Sequence, residues 1–347
     1  MNELLPSPTG SGPTISDVAR VAGVSIRTVS RVLNQSPKVN GETRQRIQDA
    51  IAALDFRPSL RARAFAKGRS FLIGLAHHDR NALVLESVQR GVGEEAIRRG
   101  YEVICHAVPL DDGRAADDLL AFCRRSRVDG LVVMPPVSDL RDLPGRLAAE
   151  GTPAVAVSAV PVEGYGAVLV SPERAAAAEV ARHLLAQGHR RIAMITGPQD
   201  MVTAIERRTG FVAALAEVGV ALTGEAEGDY SLASGIAAAR RLLSGAALPT
   251  AIFAANDIMA AAVLKVAAER AIAVPGALSV AGFDGSPLAE MLTPSLTTVV
   301  RPLGEMAGVA TRHLIDLIDG QPLAPAAEPP LTLRVAQSTA GPRVPQD

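Results

Sequence analysis

The apolar residues between positions 15 and 54 recur at the spacing of helices. The first set is Ile15, Val18, Ala19 and Ala22. Its i, i+3, i+4, i+7 spacing is that of a short helix with one apolar side, which Gly23 is expected to end. Two further sets follow, Val29, Val32 and Leu33, and then Ile47, Ala50, Ile51 and Leu54. The pattern therefore predicts three short helices around one small core.

Cap residues and outward positions complete this picture. Ser25 and Asn40 are placed to cap the second and third helices, and Pro58 is expected to end the third. The outward positions of the second helix are Ile26, Arg27 and Arg31. The two arginines lie four residues apart and share a face, where their guanidinium groups could contact guanine edges or phosphates in a major groove. This arrangement is typical of a helix-turn-helix domain.

Beyond Ser70 the pattern changes to short apolar runs separated by longer helical stretches. The runs are FLIGLA, YEVICHAV, VDGLVVMPP, TPAVAVSA, RRIAMITGP, PTAIFAAND and ALSVAGFDG. They are rich in Val, Ile and Leu on both faces, as parallel strands buried under helices are. An open α/β architecture is predicted, and residues 71–347 are too many for one such sheet.

Composition places the chain among globular proteins. It has 347 residues, 48% of them hydrophobic, and a formal net charge of -1. The sequence has no run of eighteen apolar residues, and its start lacks the basic and apolar segments of a secretory signal, so a cytoplasmic location and no membrane partner are expected. Cys105 and Cys123 are too few for a disulfide scaffold or a zinc site, and we expect both to be buried.

The charge is unevenly distributed. Residues 13–70 hold eleven Lys or Arg against four Asp or Glu, a net +7, whereas residues 71–347 hold 24 basic against 31 acidic residues, a net -7. This split indicates a small module that binds a polyanion, joined to an acidic body.

Three segments carry a family resemblance: TISDVARVAGVSIRTVSRVLN (14–34), NGETRQRI (40–47) and LDFRPSLRARAFAKGRS (54–70). They resemble the DNA-binding head of the LacI (lactose-repressor) family. The resemblance implies a disordered tail over 1–12, a helix-turn-helix domain over 13–57, a hinge helix or linker over 58–70, and an effector-binding and dimerisation domain over 71–340. The hinge would fold only on DNA and enter the minor groove.

The resemblance also implies which residues contact double-stranded operator DNA. They are Thr14, Ser25, Ile26, Arg27, Thr28, Ser30, Arg31, Asn34, Arg61, Ala62 and Phe65. The family usually has leucine where Phe65 stands, as the side chain that wedges between base pairs. The larger ring leaves the depth of insertion and the preferred central base step open.

The body resembles the α/β two-lobed, periplasmic-binding-protein-like domain of type I, with parallel sheets. The expected lobes are residues 71–170 with 300–329, and residues 171–298 with 330–340. Open parallel sheets bind ligands beyond the carboxyl ends of their strands. Asn256 and Asp284 follow two such strands, and Arg207 is expected at the start of the helix after MITGP. The resemblance assigns all three to an effector cleft. Asp257 either contacts the ligand or only caps a helix.

The other expected effector residues are His77, Asn81, Ser158 and Arg301. Ser158 and Ser171 stand where many relatives carry aspartate, which changes the hydroxyl acceptors or only a turn. His77 and His78 do not predict a metal site, because successive residues of an extended chain point in opposite directions and no third ligand is suitably spaced. His189 follows a helix that ends at Gly188, and we expect a structural role for it in satisfying the last carbonyls.

These features predict a transcriptional regulator, a repressor of carbohydrate-catabolism genes that binds a near-palindromic operator as a homodimer. A small sugar or sugar derivative in the cleft would control DNA binding allosterically. Induction is the first expectation, and corepression is the alternative. With 3% aromatic residues and no Trp, the stacking wall for a plain sugar is thin. The alternative is a solute-binding receptor of a transport system. No enzyme motif, cofactor or metal is predicted.

Overall fold

The computed structural model describes residues 13–33, 36–56, 68–78, 82–110, 113–324 and 329–342. The chain forms two compact units that divide between Phe71 and Leu72. Within residues 13–33 and 36–56, the first unit consists of three helices, Ile15–Val21 (α1), Ile26–Leu33 (α2) and Gly41–Ala53 (α3). Val18, Val29 and Ile47 are fully buried between them, which confirms the predicted helical core.

The caps of the first unit fix where its helices begin. Thr14 and Asp17 form a reciprocal capping box at α1. The hydroxyl of Ser25 accepts a hydrogen bond from the amide of Thr28 at 3.2 Å, and the Asn40 side chain accepts one from Thr43 at 2.8 Å. Both predicted caps are confirmed.

The predicted end of α3 at Pro58 is wrong. The helix ends at Ala53, and Asp55 adopts a left-handed conformation with φ 45°. This turn directs Phe56 back into the core of the unit, where only 7% of it is exposed. Burial of that aromatic ring, rather than the proline, determines the end of the helix.

The second unit contains two sheets with helices packed against them. In the described residues the first sheet has the order β2-β1-β3-β4-β5 and is entirely parallel. Its strands are Leu72–His77 (β1), Glu102–Ala107 (β2), Gly130–Val133 (β3), Ala154–Ser158 (β4) and Ala167–Val170 (β5). The helices of this lobe are Ala82–Arg98 (α4), Ala115–Ser126 (α5), Leu143–Ala149 (α6) and, from later in the chain, Leu303–Ile318 (α12).

The second sheet has the order β11-β10-β9-β8-β6-β7 in the described residues and is parallel except for β11. Its strands are Ile192–Thr196 (β6), Gly224–Glu227 (β7), Ala251–Ala254 (β8), Ser279–Asp284 (β9), Thr297–Val300 (β10) and Thr332–Arg334 (β11). The helices of this lobe are Glu173–Ala186 (α7), Val202–Ala216 (α8), Leu232–Leu242 (α9), Asp257–Glu269 (α10) and Leu288–Met291 (α11). The fold class predicted from the sequence is confirmed.

The chain crosses between the lobes three times, after β5, after β10 and before β11. Val300, predicted in the first lobe, pairs with Asp284 in the second sheet, so this crossing lies between β10 and α12. Residues that follow β11 close the second lobe: Ser338 is fully buried, accepts from the amide of Val280 at 2.8 Å and donates its hydroxyl to the carbonyl of Val280 at 2.6 Å.

The expectation that both cysteines are buried is wrong for one of them. Cys123 is buried on α5, whereas Cys105 is exposed. Cys105 lies on β2, which is the edge strand of the first sheet and has exposed positions along its length. The prediction treats every strand as central and covered on both faces. An edge strand such as β2 presents more of its surface to solvent.

Candidate functional site

The first candidate site is the outer face of α2. Ile26 is 50% exposed, Arg27 is exposed, and Thr28, Ser30 and Arg31 are half-buried. The face forms because Val29 and Val32 point into the core, which leaves the intervening positions outside. The predicted residues Asn34, Arg61, Ala62 and Phe65 lie outside the described part of the chain, as does Asn81 of the predicted effector site.

The second candidate site is a pocket between the two lobes of the second unit. It is lined by five of the predicted effector residues, His77, Arg207, Asn256, Asp284 and Arg301. His77 and Asp284 end the parallel strands β1 and β9, and Asn256 follows β8, so the pocket lies at the carboxyl edges of both sheets. This is the position that ligands occupy in open α/β folds.

Four charged side chains form a buried cluster beside this pocket. The guanidinium of Arg207 donates to Glu173 at 2.8 Å and lies 3.6 Å from Asp284. The guanidinium of Arg301 lies 2.7 Å from Glu173 and 3.2 Å from Asp284. Each carboxylate therefore faces both arginines, and each arginine faces both carboxylates. Glu173 is fully buried and Arg207 only 3% exposed.

In this cluster the close opposite charges counteract the effect of burial on the pKa values. For Asp284 burial outweighs Arg207 and Arg301, so the pKa of its carboxyl is raised. Burial alone would raise the pKa of Glu173, but Arg207 and Arg301 outweigh it and hold that pKa below its usual value. Burial alone would lower the pKa of Arg207, but Glu173, Tyr230 and Asp284 outweigh it, so the net change is upward. The guanidinium of Arg207 also lies 4.0 Å from the ring centroid of Phe283, in cation–π geometry.

The backbone at Asp284 is unusual for a residue with a side chain. Asp284 has φ 115°, and Gly285 follows with φ 65°. Such conformations cost about 1–3 kcal/mol and persist where the surrounding structure holds them. Here the strand ends sharply, and the turn brings the carboxylate to the pocket rather than into the sheet.

Asn256 and Asp257 have different roles at the start of α10. The Asn256 side chain is the cap: it accepts from the amide of Met259 at 2.8 Å and donates to the carbonyl of Tyr230 at 3.0 Å. Asp257 instead accepts from the amide and hydroxyl of Ser286 and from the hydroxyl of Thr298. Burial and the nearby charge of Asp284 raise the pKa of Asp257 to about 7.

Ser158 is not among the residues that line the pocket. It is fully buried, and its hydroxyl donates to the carboxylate of Asp139 at 3.2 Å while accepting from the amide of Val160 at 3.3 Å. Ser171 also points inward, donating to Glu173 at 2.8 Å. The two serines therefore position neighbouring carboxylates, a use that the sequence did not indicate.

His189 is structural, but in a different way from the one predicted. It is 1% exposed, and its ring nitrogens lie 3.0 Å from the hydroxyl of Thr250, 3.1 Å from that of Ser279 and 2.9 Å from the carbonyl of Ala340. The ring thus links strands and the final residues of the lobe. Arg190 is the side chain that reaches back to a helix carbonyl, that of Leu185.

Sequence reasoning missed several residues of the pocket. Tyr230 supplies an aromatic wall, and the apolar lining comes mainly from Val84, Leu85, Val88, Met134 and Met201. Tyr230 follows β7, whose sequence GEAE is too polar to be recognised as a strand. The sequence signal for a pocket residue here was the segment EGDYS, in which turn residues follow an extended segment as they do at the ends of the other strands.

Neither a metal site nor a membrane-spanning helix is found within the described residues. No group of three His, Cys, Asp or Glu side chains there could hold a metal ion. None of the helices in the described ranges has both the length and the apolar composition that a bilayer span requires.

A three-helix unit with a basic outer face, followed in one chain by a bilobed domain with a polar pocket, defines the class of DNA-binding regulators that respond to a small molecule. Comparison with known proteins agrees. Residues 14–59 match the model for bacterial regulatory proteins of the lacI family, and residues 181–339 match a periplasmic binding protein-like domain.

The individual relatives extend the match over most of the chain. The transcriptional regulator DegA of Bacillus subtilis is 33% identical over 86% of this chain and 89% of its own length. A structure of the transcriptional regulator CelR in complex with cellobiose is 30% identical, covers 94% of this chain and 99% of that one, and has a TM-score of 0.67.

A structure of the lac repressor dimer, bound to operator and the anti-inducer ONPF, is 28% identical and has a TM-score of 0.79. It covers 95% of this chain and 100% of that one. The chain belongs to the lacI family of bacterial regulatory proteins.

Proposed function

We propose that this protein represses genes of carbohydrate catabolism by binding a near-palindromic operator as a homodimer. The observation that carries the proposal is the presence, in one chain of this family, of a helix-turn-helix unit and a pocket that holds Arg207, Asp284 and Arg301 together. The operator-bound dimer of the lac repressor supports the DNA partner and the symmetry.

In the DNA complex, Arg27 and Arg31 read base edges or phosphates in the major groove, supported by the other α2 positions predicted above. Arg61, Ala62 and Phe65 are proposed to enter the minor groove as a hinge. DNA in the bacterial cytoplasm is then the site of action, and the relatives, being regulators, give no support to an enzymatic activity.

The pocket binds a small hydroxyl-rich effector that controls DNA affinity. The cellobiose complex of the relative CelR supports a sugar or sugar derivative as its chemical class. Arg207, Asn256, Asp284, Arg301 and His77 are the proposed contacts, because they line the pocket. Ligand binding would favour one of two lobe arrangements, with induction as the primary proposal. A solute receptor is disfavoured by the DNA-binding unit.

The test is selection of duplexes from a random library by the full-length chain, followed by titration of the selected duplex with and without a panel of sugars. We expect a selected sequence with two-fold symmetry, bound at least about a thousandfold more tightly than scrambled DNA. At least one sugar or derivative should change that affinity. Equal binding to selected and scrambled duplexes would contradict the proposal.

A further inference from the structure

Glu173 stands out among the residues beside the pocket because it does not line the pocket, yet it bonds to both arginines that do. It is fully buried, 2.8 Å from the Nε of Arg207 and 2.7 Å from a terminal nitrogen of Arg301. Ser171 donates a further hydrogen bond to the same carboxylate. Glu173 is therefore held in place from three sides.

The two ion pairs of Glu173 determine the net charge of the side chains that surround a ligand in the pocket. Arg207 and Arg301 carry two positive charges, and Glu173 and Asp284 carry two negative charges when both are ionised, so the charges of the cluster then cancel. An uncharged hydroxyl can donate to Asp284 and accept from a guanidinium without disturbing that balance. An anionic group would bring a third negative charge into a buried cluster that has only two positive ones, which is costly.

We propose that Glu173 is the specificity-determining residue that makes the pocket select uncharged, hydroxyl-rich ligands and reject phosphate-bearing or carboxylate-bearing ones. It is a positioning residue, because it acts through Arg207 and Arg301 and does not touch the ligand. The inference rests on the proposed function in one respect, namely that this pocket binds the effector.

Removing the charge of Glu173 leaves two arginines facing only Asp284. In Glu173→Gln the cluster has a net charge of +1, and the guanidinium groups regain donors that suit a tetrahedral anion. The variant should therefore gain affinity for anions. Glu173→Asp keeps the charge and should not.

The experiment measures thermal unfolding of the full-length chain in chloride and in inorganic phosphate at equal ionic strength. The wild type, Glu173→Asp and Glu173→Gln are compared. The matched control is Glu206→Gln, since Glu206 is a largely buried carboxylate of the same lobe, 9% exposed, that pairs with Arg174 and does not line the pocket. We expect phosphate to raise the midpoint of Glu173→Gln alone, with an affinity at least about tenfold above that of the wild type by direct titration.

A response of the wild type equal to that of Glu173→Gln would overturn the proposal, and so would the absence of any response in Glu173→Gln. If Glu173→Gln does not fold, Asp284→Asn removes one charge from the same cluster and must gain the phosphate response instead. The assay needs no DNA. A failure to bind any operator would therefore refute the proposed function, and the response of the unfolding midpoint to phosphate could still be interpreted. Conversely, a failed phosphate response would leave operator binding intact.

Discussion

At the residue scale, the sequence identifies several of the polar side chains that line the pocket. It does not identify Glu173, which pairs with the two arginines among them. Asp284 could be predicted because it ends a buried apolar run, whereas Arg207, which lies inside α8 and not at its start, is assigned by the family resemblance. Glu173 could not, because an acidic residue at the first position of a helix is ordinarily an exposed partner of the helix dipole. Only the packing of α7 shows that it is fully buried between two arginines.

The first prediction concerns Asp284. Because its carboxylate lies at the pocket and its turn is fixed by the sheet, Asp284→Ala should abolish the effect of the effector on DNA affinity and leave operator binding near that of the wild type. Fluorescence anisotropy of labelled operator, with and without the ligand found by screening, measures both. An unchanged ligand effect would mean that Asp284 is not part of the effector site.

The second prediction concerns Arg27, on the exposed face of α2. If it contacts a guanine, Arg27→Ala should weaken operator binding by about 1–3 kcal/mol and relax selectivity at one base pair. Binding to a set of singly substituted operators measures the selectivity. A uniform loss on all of them would identify Arg27 as a phosphate contact.

The third prediction follows from the raised pKa of Asp257. Folding moves this pKa from its ordinary 3.8 to about 7, so the folded chain binds a proton that the unfolded chain has released. The stabilisation from this group is complete below about pH 4 and is lost as the pH rises towards 7. Asp257→Asn, whose amide can still accept from Ser286 and donate to Thr298, should therefore lose less stability over that range.

Denaturant unfolding at several pH values between 4.5 and 7.5 gives the free energy of unfolding of the wild type and of Asp257→Asn. The two slopes of this free energy against pH are then compared. Asp284 contributes a pH dependence of the same sign, since its pKa is also raised by burial, so the difference between the slopes is the relevant quantity. Equal slopes would show that Asp257 is ionised throughout.

At the scale of elements, the sequence predicts starts better than ends. The caps of α2 and α3 could be read locally, because a side chain and an amide three residues away are sufficient to form them. The end of α3 depends on burial of Phe56, and the exposure of Cys105 depends on β2 lying at an edge. Both are set by contacts with residues distant in the chain, as is the polar strand β7, which is defined by pairing with β6.

The fourth prediction uses two glycines of α4. A Cβ at Gly91 would overlap the carbonyl group of Gly304 on α12, whereas a Cβ at Gly93 would meet nothing within 4 Å. Gly91→Ala should destabilise the domain by at least about 1–3 kcal/mol because the helices must separate. Gly93→Ala, the matched control, should stabilise it by up to about 1 kcal/mol through helix propensity. Chemical denaturation distinguishes the two, and similar effects of both would contradict the close packing.

At the scale of the whole molecule, composition and pattern are sufficient for the architecture. The change from helical to strand spacing after Ser70 and the reversal of charge at the same point both indicate two units, and the structure divides between Phe71 and Leu72. The size of the acidic body indicates two lobes. One sequence does not show the order of the strands in the sheets. It also does not show that Glu173 and Arg301, at two of the inter-lobe crossings, lie in contact, because this contact arises from how the sheets pack.

The order of α12 and β11 along the chain has a consequence for biosynthesis. The second lobe needs β11 and Ser338, and the first lobe needs α12, so the first lobe lacks a helix until residue 318 has been synthesised and the second lacks a strand until residue 334 has been synthesised. Domains made in sequence generally fold as they emerge. Here the helical unit can do so, whereas the first lobe has to wait for α12, which is made only after the strands of the second sheet up to β10.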